Sequence, residues 1–342
     1  MRAKKHEVRV NKRGLMNSAS RIHRPAKGKG AYRRLREVLY QERPYLAGQL
    51  RKVSVLIALC LAIQLGAAER YVPEYLNKIS VTVRAEAGYS KSEGSGSLFV
   101  RKVDGKDVTF CWTAGHVVAG LRSVEDTIRD GKPGKRITFG DPKLVRELRN
   151  KDGRRTGEVV VDAKVIRYSP ADKHDLALLL VLSEDFKVEA STEFLAKESK
   201  LPRIGSHINH VGSFLGSDGA SSFSDGVLSA HGRILFKVPF CQTTAPAYPG
   251  SSGGVVADDA GKYIGMLVRG AGSDYNLSVP VARMWKWAGA NKVEWAMNPA
   301  LPITRAQMDK LPIEGAVAAE SEGNGKHKDH PFLIKVTRTK PE

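Results

Sequence analysis

From about residue 72 onward the strongest constraint on the chain is an alternation of period two. In KISVTVRAE (78–86), Ile79, Val81 and Val83 fall on one side of an extended chain, and Ser80, Thr82 and Arg84 fall on the other. The same alternation, or a short apolar run bounded by turn residues, predicts strands over 96–101, 107–113, 136–139, 158–168, 175–182, 207–213, 226–230, 233–240, 255–256, 263–268 and 277–281. Turns such as VDGKD and DDAGK separate them. Many short strands at this spacing imply an all-β chain built as antiparallel barrels or sandwiches. Two short helices are expected, one over 142–151 in a long excursion between strands and one over 282–288 where the barrel ends. Residues 291–342 read as a polar, Gly/Lys/Glu-rich C-terminal tail.

Composition decides what surrounds this body. With 342 residues, 42% of them hydrophobic, the chain can bury a sizeable core, so a small stapled scaffold is excluded. The formal charge of +19 would suggest a nucleic-acid binder if it were evenly spread. It is concentrated instead: residues 1–52 hold 16 Lys+Arg against three acids, while the remaining 290 residues hold 39 basic and 33 acidic side chains. Residues 1–52 therefore read as a basic, mostly disordered tail with a possible helix at 32–40, able to contact anionic lipid or nucleic acid.

The apolar run VSVLIALCLAIQLGAA (53–68) follows a basic flank and ends in small residues, the order of a signal peptide. A retained anchor with its basic side in the cytoplasm and a buried core helix are the alternatives. Since it is the chain's one long apolar run, a polytopic membrane protein is excluded. Cys60 lies within it, and Cys111 and Cys241 have no metal-type spacing, so neither a disulfide framework nor a zinc site is implied.

Three segments carry chemistry: TFCWTAGHVVAG with His116, KHDLALLLV with Asp175, and QTTAPAYPGSSGG with Ser252. Singly, each has an ordinary reading, as a buried histidine, a core strand and a loop. Together they supply what a serine hydroxyl needs near neutral pH, a base and a carboxylate to orient that base. His116 would take the Ser252 proton, Asp175 would hold the other imidazole nitrogen, and the N–H groups of Gly250 and Ser252 would face the developing oxyanion. The chain order His, Asp, Ser is that of the chymotrypsin-type arrangement and differs from the subtilisin and α/β-hydrolase orders.

At these residues the chain resembles the trypsin-like serine proteases, in particular the HtrA (Deg-type) branch, over about 78–287. RIGSHINHVGSFLGSDGASSFSDGVLSA and YIGMLVRGAGSDYNLSVPVARM are similar to the stretches that flank the nucleophile in that branch. The resemblance implies a chymotrypsin-like protease domain over 72–290. Its two six-stranded antiparallel barrels, about 72–195 and 201–290, meet at an active site and are followed by a short helix. It implies a serine endopeptidase acting on protein or peptide substrates with no metal or cofactor, exported or membrane-tethered. The alternatives are a cytoplasmic viral or phage processing protease whose basic tail binds nucleic acid or membrane, and a catalytically idle protease fold used as a binding module. No PDZ domain is implied, because the residues after 291 are too few and too polar for one.

By the same match the substrate pocket is bounded by Pro246, Leu267, Val268, Arg269 and Gly270. Pro246 stands where trypsin-like enzymes place an acid, and Leu267 where related viral proteases place a histidine, so small or aliphatic side chains are expected in the pocket. Arg269 is expected at the pocket rim or solvated. His174, His207 and His210 lack convergent ligand spacing. Trp285, Trp287 and Trp295 could imitate a base-stacking platform, although packing of a helix on a barrel accounts for them more simply.

Overall fold

The computed structural model describes residues 70–129, 132–270 and 273–314. The basic tail, the apolar segment 53–68 and residues 315–342 lie outside the described residues. Among the described residues, no helix is long and apolar enough to cross a membrane.

The chain enters through helix α1 (Val72–Ile79), which buries Tyr75, Leu76 and Ile79. Strands β1 (Ser80–Ala87), β2 (Ser90–Val103) and β3 (Lys106–Thr113) follow, then the one-turn helix α2 (Gly115–Val118) and the hairpin of β4 (Arg122–Arg129) and β5 (Lys132–Phe139). Strands β6 (Lys143–Arg149), β7 (Arg155–Ser169) and β8 (Leu176–Val181) complete the first barrel, in the order β1-β2-β3-β8-β7-β6. The second barrel comprises β9 (His207–Phe214), β10 (Gly219–Leu235), β11 (Val238–Thr243), β12 (Val255–Ala257), β13 (Tyr263–Gly270) and β14 (Asn276–Pro280), in the order β10-β11-β14-β13-β12-β9. Each sheet closes, β6 on β1 and β9 on β10, so the barrels have no free edge to template aggregation. All neighbouring strands within the barrels are antiparallel, as in the chymotrypsin-like fold. In β8 all six residues are buried, which is why LALLLV reads as a continuous apolar run without alternation.

Four expectations are corrected. Residues 142–151 contain strand β6 and no helix; β6 pairs with β1 and β7 and buries Leu144 and Val145, so tertiary pairing overrides the helix propensity of KLVRELR. The strand expected at 136–139 extends into β5 and has a partner, β4, whose RSVEDTIR carries no apolar period because this hairpin stands largely exposed. The break expected between 226–230 and 233–240 is a bulged part of one strand, β10. The reversal instead falls at Phe236 and Lys237, both with positive φ (49° and 62°), as a two-residue hairpin turn of primed type requires.

The fourth correction concerns the C-terminal segment. After helix α3 (Val281–Ala290), residues 291–314 are no polar tail but pack back on the first barrel. Val293, Trp295, Ala296, Met297, Ile303 and Met308 are buried, and Ile303 and Glu314 form bridges to Val103 and Tyr168. Their apolar residues have no regular period, which hides them from a pattern reading. Buried Arg101 donates from Nε and Nη2 to the carbonyls of Trp295 and Ala296 (2.8 and 3.0 Å). Trp285, Trp287 and Trp295 are all core residues: Trp287 lies edge-on to Trp112, Trp295 to Phe110, and Trp285 Nε1 donates to the Leu195 carbonyl. These three therefore form no exposed stacking platform.

Candidate active site

β3 delivers four buried residues, Phe110 to Thr113, and the chain then turns into α2, whose second residue is His116. Asp175 ends the turn before β8 in the left-handed region (φ 56°), which short polar side chains tolerate best among non-glycine residues. Its carboxylate is fully buried. Oδ1 accepts the His116 backbone N–H at 2.9 Å, and Nδ1 of the ring lies 3.0 Å from both Oδ1 and Oδ2. Burial pushes the Asp175 pKa up, but the His116 hydrogen bonds and nearby positive charge outweigh it, so the carboxyl sits below its ordinary value. An ionised Asp175 fixes the proton on Nδ1 and leaves Nε2 as the lone-pair nitrogen.

Ser252 lies in a turn between two glycines of positive φ, Gly250 (95°) and Gly253 (91°). A side chain at Gly250 would collide with the Ser213 carbonyl and lie within 2.5 Å of the Gly216 nitrogen, so the position requires glycine twice over. The Gly253 N–H is anchored to the Leu267 carbonyl (2.7 Å), and the Pro249 carbonyl accepts the Leu215 N–H (2.7 Å). Neither the Gly250 nor the Ser252 N–H has a backbone partner among the described residues. The Ser252 hydroxyl donates to the Val268 carbonyl at 3.3 Å, a long hydrogen bond.

The two halves meet across β2. A Cβ on Gly94 would strike the side chain of Val117, the neighbour of His116, and stand 2.9 Å from the Ser252 carbonyl. The next residue, Ser95, donates its N–H to that carbonyl at 2.7 Å.

Around the expected pocket, Leu267 is buried with Ile208, Leu228, Cys241, Ala245, Ala247, Val256 and Ile264. The Pro246 carbonyl accepts the Ser224 hydroxyl (2.9 Å). Arg269 is half-buried and makes contacts not expected of it. Its Nη2 donates to the Ala171 carbonyl (3.0 Å) and lies 3.7 Å from Asp175 Oδ2, with the guanidinium over the Phe236 ring. Sequence reasoning missed this contact, and it missed Glu93 and Ser95. The one available signal was polar serines at 95 and 97 inside a wholly buried stretch of β2.

Three further described histidines make no hydrogen bond to His116, Asp175 or Ser252. His207 is exposed between Asp225 and Asp259, and these carboxylates raise its pKa. His174 has a buried Nδ1 without a partner, and burial lowers its pKa. Cys111 and Cys241 are free buried thiols; burial raises both pKa values, that of Cys241 to about 11. His210, fully buried, donates from Nδ1 to the Val255 carbonyl at 2.8 Å, and burial pushes its pKa down to about 4. Native His210 thus stays neutral while the unfolded chain takes up a proton below pH 6.5. Stability is expected to fall by about 3 kcal/mol between pH 7 and pH 4 from this residue alone. Chemical denaturation across that range checks this: His210→Leu should flatten the decline, and an unchanged slope would refute the assignment.

A double β-barrel carrying a paired His and Asp and a glycine-flanked serine defines a class of hydrolase folds. The chain matches the family model "Trypsin-like peptidase domain" over residues 94–266, which include all three candidates, and it belongs to that family. It is 30% identical over 180 residues to the serine protease Do-like HtrA of Lactobacillus helveticus, covering 51% of this chain and 35% of that protein. It is 26% identical over 204 residues to the probable periplasmic serine endoprotease DegP-like of Hahella chejuensis (59% and 35%). The chain thus spans about a third of the length of these curated relatives. Similar solved structures include the HtrA-type protease AlgW with tripeptide (21% identity, TM-score 0.44, 64% of this chain and 62% of that one). Another is Deg5 (19% identity, TM-score 0.45, 63% and 89%).

Proposed function

We propose that the chain is a serine endopeptidase that hydrolyses peptide bonds through an acyl-enzyme, with Ser252 as nucleophile, His116 as general base and then acid, and Asp175 as the group that orients and charges the imidazole. The observation that carries this reading is the doubly held Asp175 carboxylate, which leaves Nε2 of His116 as the acceptor. In this mechanism the Ser252 hydroxyl leaves the Val268 carbonyl and hydrogen-bonds that nitrogen. Attack on the substrate carbonyl places negative charge on its oxygen, which the N–H groups of Gly250 and Ser252 receive. His116 then protonates the leaving amine, and water repeats the sequence on the acyl-enzyme.

The substrate backbone adds to β13 at Val268–Gly270 as an extra strand, and the preceding side chain enters the pocket bounded by Pro246 and Leu267. The cluster of Ala245, Ala247, Leu267 and Ile264 beneath supports an apolar pocket. A buried aliphatic side chain gains about 1.5–3 kcal/mol there, whereas an unpaired charge pays several kcal/mol of desolvation. The Arg269 Nη2 group is engaged by the Ala171 carbonyl and lies near Asp175, which favours an apolar over an acidic side chain in the pocket. Cleavage-site profiling on a denatured protein mixture is expected to show cuts after Val, Ala or Leu; dominant cutting after Lys/Arg or Glu/Gln would overturn the pocket assignment.

The charge asymmetry about residue 53 supports export of the protease domain, with residues 1–52 left on the cytoplasmic side. Reporter fusions after Leu50 and after Pro73 should report opposite sides of the membrane if 53–68 is retained as an anchor. Both in the cytosol would sink export and leave the basic tail to a nucleic-acid or membrane role inside the cell.

A further inference from the structure

We propose that Ser95 and Glu93, both in the first barrel, are positioning residues that hold the second barrel's oxyanion loop in its working form. The proposal deepens the serine-peptidase reading above and rests on it.

Ser95 and Glu93 are two residues apart on β2 and so share one face, which points at the second barrel. Ser95 is fully buried and spends its polar groups on the nucleophile loop and its support. Its Oγ donates to the Gly250 carbonyl (2.7 Å) and accepts the Ser213 N–H (2.7 Å), and its N–H donates to the Ser252 carbonyl (2.7 Å). Its own carbonyl is held by Thr113 Oγ1 (2.7 Å), so the residue is pinned within its barrel. Ser213 is tied back a second time, its Oγ lying 2.6 Å from Thr82 Oγ1.

Glu93 grips the neighbouring loop. Its Oε2 accepts the Ser217 N–H (2.9 Å) and its Oε1 the Ser217 hydroxyl (2.9 Å), while Arg84 donates to both Glu93 (2.8 Å) and Ser217 Oγ (2.8 Å). Burial pushes the Glu93 carboxyl up, but these donors and Lys91 outweigh it and bring its pKa down to about 2, so the grip is ionised at any working pH. Two residues before Ser217, Leu215 stands in the left-handed region (φ 59°), which leucine adopts only when its surroundings impose it. From that conformation its N–H reaches the Pro249 carbonyl at 2.7 Å.

These bonds fix the direction of one N–H. In a trans peptide the C=O and N–H point opposite ways, so pinning the Pro249 carbonyl on Leu215 aims the Gly250 N–H away from Leu215. Holding the Gly250 carbonyl on Ser95 fixes the next peptide as well. Gly250 has no side chain to resist rotation, so without these contacts the Pro249–Gly250 peptide can turn and present a carbonyl, not a donor, to the oxyanion. The donor therefore lies in the second barrel, and its restraint, in part relayed through Leu215, is anchored in the first.

The test compares the full-length native chain with Ser95→Ala and Glu93→Gln, each assayed on a peptide cut after valine and titrated with a peptidyl aldehyde ending in valine. The adduct with Ser252 places an oxyanion where the transition state does. Removing one oxyanion donor costs about 10²–10³ in kcat, so loosening one should lower kcat about 10- to 100-fold with KM within about twofold. Aldehyde affinity should fall in proportion to kcat. A kcat within twofold of native in both variants, or a loss confined to KM with aldehyde affinity unchanged, would overturn the proposal. Glu93→Gln keeps the side-chain shape and carries the test if Ser95→Ala fails to fold. A native chain that neither cleaves nor binds the aldehyde would overturn the peptidase reading itself, and this proposal with it.

Discussion

Replacing Ser252 by alanine is expected, on the proposed mechanism, to lower kcat on an unfolded protein about 10⁴-fold or more, since removing a nucleophile that works as a unit with its base leaves only binding and oxyanion contributions. No neighbour can take its place. Ser251 is buried, and its hydroxyl oxygen is occupied by the Tyr248 N–H at 3.1 Å. The fold should survive. The loop is held through main-chain groups of Ser95, Ser252, Gly253 and Leu267, and the hydroxyl itself adds one long hydrogen bond. The check is turnover by protein freed of host peptidases together with a thermal unfolding midpoint. Near-native turnover with an intact midpoint would remove Ser252 from the mechanism.

Asp175→Asn should cost about as much, roughly 10⁴-fold in kcat at pH 7, by a different route. Asparagine is isosteric and tolerates the left-handed backbone, so the turn is expected to persist. Its single carbonyl oxygen would keep the His116 backbone N–H, which turns the amide NH₂ toward Nδ1. Nδ1 must then accept, the ring proton moves to Nε2, and no lone pair remains for the Ser252 proton. Stability responds with a definite sign. A carboxylate whose native pKa is depressed contributes stability above its unfolded value, near 4, and loses it as pH falls through the native value. The variant should therefore lack that part of the acid-induced decline. Retained activity at neutral pH would contradict the orienting role.

Much of the barrel architecture was legible because most barrel strands carry their own short signal. β1 and β13 read directly from alternation or apolar runs, and His116, Asp175 and Ser252 from motifs at strand ends. The rest was hidden for physical reasons. β4 and β6 are polar or mixed strands whose existence depends on a partner's backbone, which a local pattern does not encode. The pairing of Arg269 with the Asp175 loop joins residues 94 positions apart, and Ser95 acts on Gly250 across 155. Such links follow from barrel docking, and no single segment announces them.

The C-terminal segment has a consequence for the order in which the molecule is made. Residues 293–314 cover the first barrel, yet the ribosome delivers them after the whole second barrel. Until then Arg101 has a buried guanidinium position to fill and no Trp295 or Ala296 carbonyl to meet it. The first barrel, although synthesised first, is completed last. Vectorial folding of one barrel and then the next gives way to a later step in which residues 293–314 seal the first barrel.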